Sequence, residues 1–520
     1  MLLARKSYDT LQLTRGACSA LIRAHLSNYK GDLMEEKKGI GLFGLVGMVI
    51  SSCIGSGIFA LTGQLANVAA PGSALVAWVV VGIGFLLLAL SLANIGAKKP
   101  EVDGIIEYAE DGFGPFSGFI SGWGYWLSAW LGNVGFATMV AQVLASLFPE
   151  MFSLDGTGAA PNMIVIVFVS VVLWVLTFLV INGVENAAIL NAIVMIIKVA
   201  SILLFIAFAA FSFKAGLFTE DFWGQASRNA VVMAEQAASG SKELGLGDIM
   251  NQVNNCFLIM MWVFIGIEGA SVMSARAQKK SDVGKATILG LFVLLVLYIG
   301  ASLLPYGVMP YEQLVAAPKP ATITVFEAMA PGWGGVFISV AIIISVLGSW
   351  LSFTMLPAET SSMLSDHGLL PKAWNKMNKK NAPQMALVIV GICTQVFLII
   401  AHFAEDAYTF AISMCTVTIV VTWALAAAYQ IKISQEEKNV VQLLIGVVAL
   451  IFQIFGVLIT GWGFLLLACL GYIPGFYFYA KARQEQGSRM TKNEIIAAVI
   501  IAILGLISIP MTAVGLIAVF

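Results

Sequence analysis

Three charged side chains, Lys198, Glu268 and Glu359, lie in stretches of sequence otherwise almost free of charge. A charge at the centre of a bilayer costs about 2.5–3.5 kcal/mol even on insertion scales, so such a group normally faces a cavity or a partner. Lys198 falls near the middle of its run, too deep to snorkel easily. Glu268 sits in a Gly-flanked interruption, Phe264-Ile265-Gly266-Ile267-Glu268-Gly269. Burial disfavours the charged form of both, so either is a candidate proton carrier, and Glu268 alternatively links a gate. Glu359 lies near the end of its run, where a solvated helix end accounts for it.

A second interruption, Ser51-Ser52-Cys53-Ile54-Gly55-Ser56-Gly57-Ile58-Phe59, stands at mid-depth of the first apolar run. An interrupted membrane helix exposes backbone N–H and C=O groups that can hold a ligand. A lone Gly-Ser-Gly also serves close helix packing; the acid-bearing interruption five spans later favours a binding site. The run Tyr125-Trp126-Leu127-Ser128-Ala129-Trp130-Leu131-Gly132-Asn133-Val134-Gly135-Phe136 adds a buried amide. Trp126 and Trp130 read as packing residues. Asn133 needs a hydrogen-bond partner, supplied by a ligand or by a neighbouring helix.

The elements that carry these residues follow from composition. The 520 residues are 59% hydrophobic and 11% charged, with a mean hydropathy of +0.91, whereas soluble domains carry about 25% charged residues. This excludes a soluble enzyme. The net charge of -1 provides no basic footprint for nucleic acid. Cys18, Cys53, Cys256, Cys393, Cys415 and Cys469 form no CxxC pair and the three histidines are scattered, so no disulfide framework, metal site or cofactor is expected.

A bilayer span needs about 20 apolar residues, and thirteen such runs are expected at 39–62, 73–96, 115–148, 162–182, 187–213, 250–275, 286–309, 333–362, 384–403, 407–430, 439–460, 462–480 and 495–518. With the N-terminus inside, only Lys214, Arg228, Lys242 and Lys319 fall in external segments, the asymmetry expected of cytoplasmic loops. Residues 1–38 read as a cytoplasmic tail without a signal-peptide pattern, with Met34 an alternative start. Residues 39–213 form spans 1–5, 214–249 the longest external loop, 250–430 spans 6–10 and 431–520 three accessory spans. The odd offset between the interruptions makes spans 1–5 and 6–10 an inverted-topology pair.

Gly55-Ser56-Gly57-Ile58-Phe59, the Lys99-Pro100 to Gly114 segment, Trp130-Leu131-Gly132-Asn133, Ile197-Lys198-Val199 and Phe264-Ile265-Gly266-Ile267-Glu268 together resemble the amino acid/polyamine/organocation superfamily. Within it they are most similar to the basic amino acid/polyamine antiporter branch, which includes arginine/ornithine exchangers. The resemblance covers roughly residues 38–520. It implies an all-α polytopic membrane protein with a five-plus-five inverted-repeat core, sodium-independent alternating access, an inner-membrane location and room for a homodimer. Ser56 and Gly57, beside Gly55, would hold the substrate carboxylate at a half-helix end. The carbonyls of Cys53, Trp262 and Ile265 would take the α-ammonium, and Trp262 would cover the side chain. Asn133 and Phe136 would approach the distal end, with Cys415 or Thr416 opposite. Tyr125 and Glu268 would act in gating or coupling, and Lys198 would place its ammonium where sodium-coupled relatives hold an ion.

The chain departs from the family pattern at Phe353, where a tryptophan commonly stacks on the distal cation; Trp350 lies three residues earlier. The segment Gly104-Ile105-Ile106-Glu107-Tyr108-Ala109 lacks the family's second aromatic before Tyr108, and the match at Cys415-Thr416 is loose. The expected activity is exchange of a basic amino acid, arginine or lysine, for a related product such as ornithine; the alternatives are proton-coupled amino acid symport and an amino acid/amine antiporter of different substrate. No repeated filter of carbonyls or charges suggests a channel, and no His/Asp/Glu constellation suggests membrane-embedded hydrolysis.

Overall fold

A computed structural model describes residues 40–517 except 103, 159, 184–186, 227–228, 241–243, 273–276, 381 and 404–405. The tail expected at 1–38, and Arg228, Lys242 and Arg276 among the orienting charges, lie outside the described residues.

The principal helices are α1 (Leu42–Cys53), α2 (Gly57–Val68), α3 (Pro71–Lys98), α4 (Ile105–Phe113), α5 (Pro115–Leu147), α6 (Met163–Ile181), α7 (Ala187–Ser212), α8 (Leu246–Val263), α9 (Gly269–Val272), α10 (Lys280–Leu303), α11 (Gly334–Asp366), α12 (Gln384–His402), α13 (Ala407–Glu436), α14 (Val440–Thr460), α15 (Trp462–Glu485) and α16 (Lys492–Ala513). Local chemistry sets many of their ends. Pro71 and Pro115 open α3 and α5 at positions whose N–H would have no helical partner. Asn162 caps α6 by accepting from the N–H groups of Ile164 and Val165, and Thr491 with Glu494 forms a capping box on α16.

Eleven of these helices are long and apolar enough to cross a membrane, and the bent pair α1/α2 makes a twelfth. Among the described residues the expected thirteen is not reached, the difference lying at the sixth expected run. Run 250–275 is helical as α8 but broken before α9, and Asn251, Gln252, Asn254 and Asn255 dilute its apolar character. Polar groups there are used rather than hidden: Gln252 Oε1 accepts from the Ala70 N–H at 2.8 Å, and its Nε2 donates to the Trp223 carbonyl at 3.0 Å. The run expected at 39–62 is likewise two half-helices meeting at 50°.

α5 and α13 form the heart of the bundle: 89% and 83% of their most apolar windows are buried, against 17% for α16. Small residues allow the close approach. A Cβ on Gly132 of α5 would stand 3.1 Å from the Phe353 ring of α11, and one on Gly135 3.1 Å from Ile412 of α13. α14, α15 and α16 lie outside this core. At one end of the bundle α4 is tied to the end of α11 by His367, whose Nδ1 lies 2.8 Å from Glu110 and Nε2 3.2 Å from Glu107.

Candidate functional site

The two interruptions meet. Gly266 has φ +104, and a Cβ there would lie 2.8 Å from the Ser52 carbonyl carbon, so the second break is pressed against the last turn of α1. At the first break, α1 ends at Cys53 and α2 begins at Gly57. Among the described residues no backbone acceptor is found for the N–H groups of Gly55, Ser56 or Gly57. Such orphan donors at a helix N-terminus carry partial positive charge and favour an anion.

The opposite end of the break carries the opposite sign. The Lys198 ammonium, on α7, donates to the carbonyls of Ser51 at 2.9 Å and Ile54 at 2.8 Å and to Ser349 Oγ at 3.3 Å. Ser349 Oγ in turn donates to the Ile54 carbonyl at 3.2 Å. A cation at the C-terminal carbonyls of α1 is favourable with the helix dipole, and it ties α7 and α11 to the break. This geometry gives the buried Lys198, 2% exposed, three oxygen partners.

The second break satisfies itself more fully. Ile265 N–H donates to the Trp262 carbonyl at 3.1 Å, Ile267 N–H to Phe264 at 3.0 Å and Gly269 N–H to Gly266 at 2.8 Å. The carbonyls expected to take an ammonium therefore differ. That of Cys53 lies 3.1 Å from the Tyr298 hydroxyl, and that of Trp262 accepts from Ile265. No donor to the Ile265 carbonyl is found among the described residues.

Two aromatic side chains, Trp262 and Tyr408, lie over the Gly-Ser-Gly turn. Trp262 Nε1 donates to the Tyr408 hydroxyl at 3.3 Å, and that hydroxyl donates to Ser56 Oγ at 3.0 Å. A Cβ on Gly57 would stand 2.8 Å from Trp262 Nε1, so the indole rests directly on the turn. Phe136 packs below it, 6.2 Å from the Trp262 ring and 5.1 Å edge-on to Phe353; a Cβ on Gly55 would meet the Phe136 ring at 2.9 Å. Asn133 Nδ2 donates to the Phe353 carbonyl at 3.1 Å, while its buried Oδ1 finds no partner among the described residues. An unsatisfied buried acceptor costs about 1–3 kcal/mol, which a donor arriving with a ligand would remove.

The expected residues thus separate into two groups. Cys53, Gly55, Ser56, Gly57, Asn133, Phe136, Trp262, Ile265 and Phe353 come together around the crossing, all buried. Cys415 faces α5, its Sγ donating to the Ser128 carbonyl at 3.0 Å. Thr416 spends its hydroxyl on the Ile412 carbonyl of its own helix. Glu268, 1% exposed, accepts from Trp423 Nε1 at 3.2 Å on Oε2 and stands against the Tyr125 hydroxyl.

Four residues that complete the site carried no motif. Tyr298 bridges both breaks, its hydroxyl also lying 2.6 Å from the Val263 carbonyl. Tyr408, Trp423 and Ser349 supply a partner for Ser56, the Glu268 donor and a Lys198 partner. Their only sequence signal is a polar tip inside an apolar run.

Two interrupted helices crossing at orphan backbone groups inside a polytopic helical membrane protein define a scaffold for secondary transport. The sequence model of the amino acid permease family matches residues 40–507, and the chain belongs to that family. It is 50% identical over 491 residues to the arginine/ornithine antiporter of Latilactobacillus sakei, covering 93% of this chain and 99% of that protein. The arginine/ornithine antiporter of Pseudomonas aeruginosa is 36% identical over 90% of this chain and 97% of its own. The arginine/agmatine antiporter of Chlamydia felis is 34% identical over 91% and 97%.

Proposed function

We propose that this protein exchanges a basic amino acid, arginine or lysine, for a related product such as ornithine by alternating access. The names and near-complete coverage of its relatives support the activity class. Within the site, the carrying observation is the break itself: orphan N–H groups at Gly55-Ser56-Gly57 suit a carboxylate, while the unpartnered Asn133 Oδ1 suits a cationic donor. Trp262 supplies an aromatic face, against which a guanidinium or ammonium gains about 0.5–2 kcal/mol.

In this reading Ser56 and Gly57 hold the carboxylate and the Ile265 carbonyl takes part of the α-ammonium. Trp262 and Tyr408 close over the bound substrate. Residues 39–213 and 250–430 act as the two inverted repeats that rock about the crossing, with Lys198 holding α1 to α7 and α11. Orientation with the 214–249 loop outside an inner membrane, and assembly as a homodimer, belong to the same proposal. Cysteine accessibility and cross-linking test these two.

The buried Glu268, a carboxyl group set between Trp423 and Tyr125, favours a second reading, proton-coupled symport with Glu268 as carrier. Thermal unfolding of the purified protein across a ligand panel tests the substrate class, because a specific ligand stabilises through mass action. Arginine, lysine and ornithine are expected to raise the midpoint and leucine to leave it in place. A rise with leucine and none with the cationic amino acids would overturn the substrate assignment.

A further inference from the structure

A cavity of about 490 Å3 opens away from the crossing, between the ends of α5, α6, α12 and α13 and the segments around Pro161 and Pro318. Its volume falls in the range of about 300–1,000 Å3 occupied by small-molecule sites. Two opposite charges line it, Lys319 and Asp406, paired at 2.5 Å, with Thr138, Gln142 and His402 as further polar groups. The pair is open to solvent, the Lys319 side chain being 50% exposed and that of Asp406 30%.

Asp406 is held in place independently of Lys319. Its Oδ1 accepts from the Thr409 N–H at 3.0 Å, capping α13, and its Oδ2 accepts from the Thr409 hydroxyl at 2.9 Å. Burial alone would raise the Asp406 carboxyl; the Lys319 ammonium and the Thr409 bonds outweigh it and hold the group below the usual carboxylate range. Ala407 also lines the cavity, and the next residue is Tyr408, whose hydroxyl closes on Ser56 and Trp262.

We propose that this cavity is a first docking site for the incoming amino acid, in which the Lys319 ammonium takes the α-carboxylate and the Asp406 carboxylate takes the side-chain cation. The proposal rests on the exchange of basic amino acids argued above. A zwitterion with a cationic side chain carries both charges needed to replace the Lys319–Asp406 pair by two new pairs. A neutral amino acid offers only the α-ammonium beside its carboxylate and no second cation on the side chain, and a simple amine lacks the carboxylate. Docking here would separate Lys319 from the cap of α13, the helix that carries Tyr408.

The test is equilibrium binding of labelled arginine to the purified full-length protein. The expected result is two molecules per chain, one of them lost in Asp406→Asn and in Lys319→Met. Asparagine retains the cap to Thr409 while removing the charge, and the molecule still bound shows that the variant is folded. A wild type binding one molecule, both variants binding two, or both binding none would overturn the docking site. A wild type that binds one molecule leaves the exchange reading standing, whereas a wild type that binds neither arginine nor lysine removes both.

Discussion

Gly266 lies against the backbone of Ser52, so closely that a Cβ at 266 would stand 2.8 Å from the Ser52 carbonyl carbon. Its φ of +104 is one that L side chains rarely adopt. The crossing of the two broken helices therefore depends on a glycine for two separate reasons. Gly266→Ala is expected to cost about 2 kcal/mol or more, because strain and a backbone clash combine. Thermal unfolding in detergent reads the loss, and substrate binding should fall with it; an unchanged midpoint would contradict the packing described.

Tyr298→Phe removes the hydroxyl that bridges the carbonyls of Cys53 and Val263 and changes nothing in ring volume. A buried carbonyl left unpaired costs about 1–3 kcal/mol. The variant is expected to unfold at lower temperature by that measure and to exchange more slowly, since the ends of α1 and α8 are no longer linked.

Asn133→Leu replaces the amide by an apolar group of similar size beside Phe136 and Phe353. The expected effect is on affinity more than on stability: a tenfold rise in KM for a cationic amino acid corresponds to about 1.4 kcal/mol. Competition assays against labelled arginine measure it. An unchanged KM would assign Asn133 to interhelical bonding through the Phe353 carbonyl alone.

His367 provides a pH signature outside the membrane-spanning helices. Hydrogen bonds donated to the carboxylates of Glu107 and then Glu110 push its pKa from the ordinary 6.5 to about 10. A group whose folded pKa is raised contributes stability fully below the unfolded value and loses it as pH rises through the folded one. The difference in unfolding midpoint between wild type and His367→Ala should accordingly be constant below about pH 6.5. It should shrink toward zero as the pH approaches the folded value of about 10. A difference that grows with pH would contradict the latch between α4 and α11.

Much of the site was legible in the sequence because it depends on local features: glycines at 55, 57 and 266 mark the breaks, and Lys198 and Glu268 are conspicuous charges in apolar runs. Their partners were not, because they arrive from far along the chain. Tyr408 is 352 residues from Ser56, Tyr298 is 245 from Cys53 and Trp423 is 155 from Glu268. An aromatic residue in a membrane helix reads as packing until its hydroxyl or indole N–H has a known neighbour. The amides of α8 were illegible for a related reason: Gln252 belongs to the bundle interior, where it bonds Ala70 and Trp223, and apolarity alone does not anticipate that.

The central claim, exchange of one cationic amino acid for another at the crossing of α1/α2 and α8/α9, is tested most directly by flux. Labelled arginine uptake would be compared between proteoliposomes loaded with ornithine and empty ones, at two pH values and without sodium. The account predicts rapid uptake into loaded vesicles only. Equal uptake into both, rising at low external pH, would contradict it and establish proton symport.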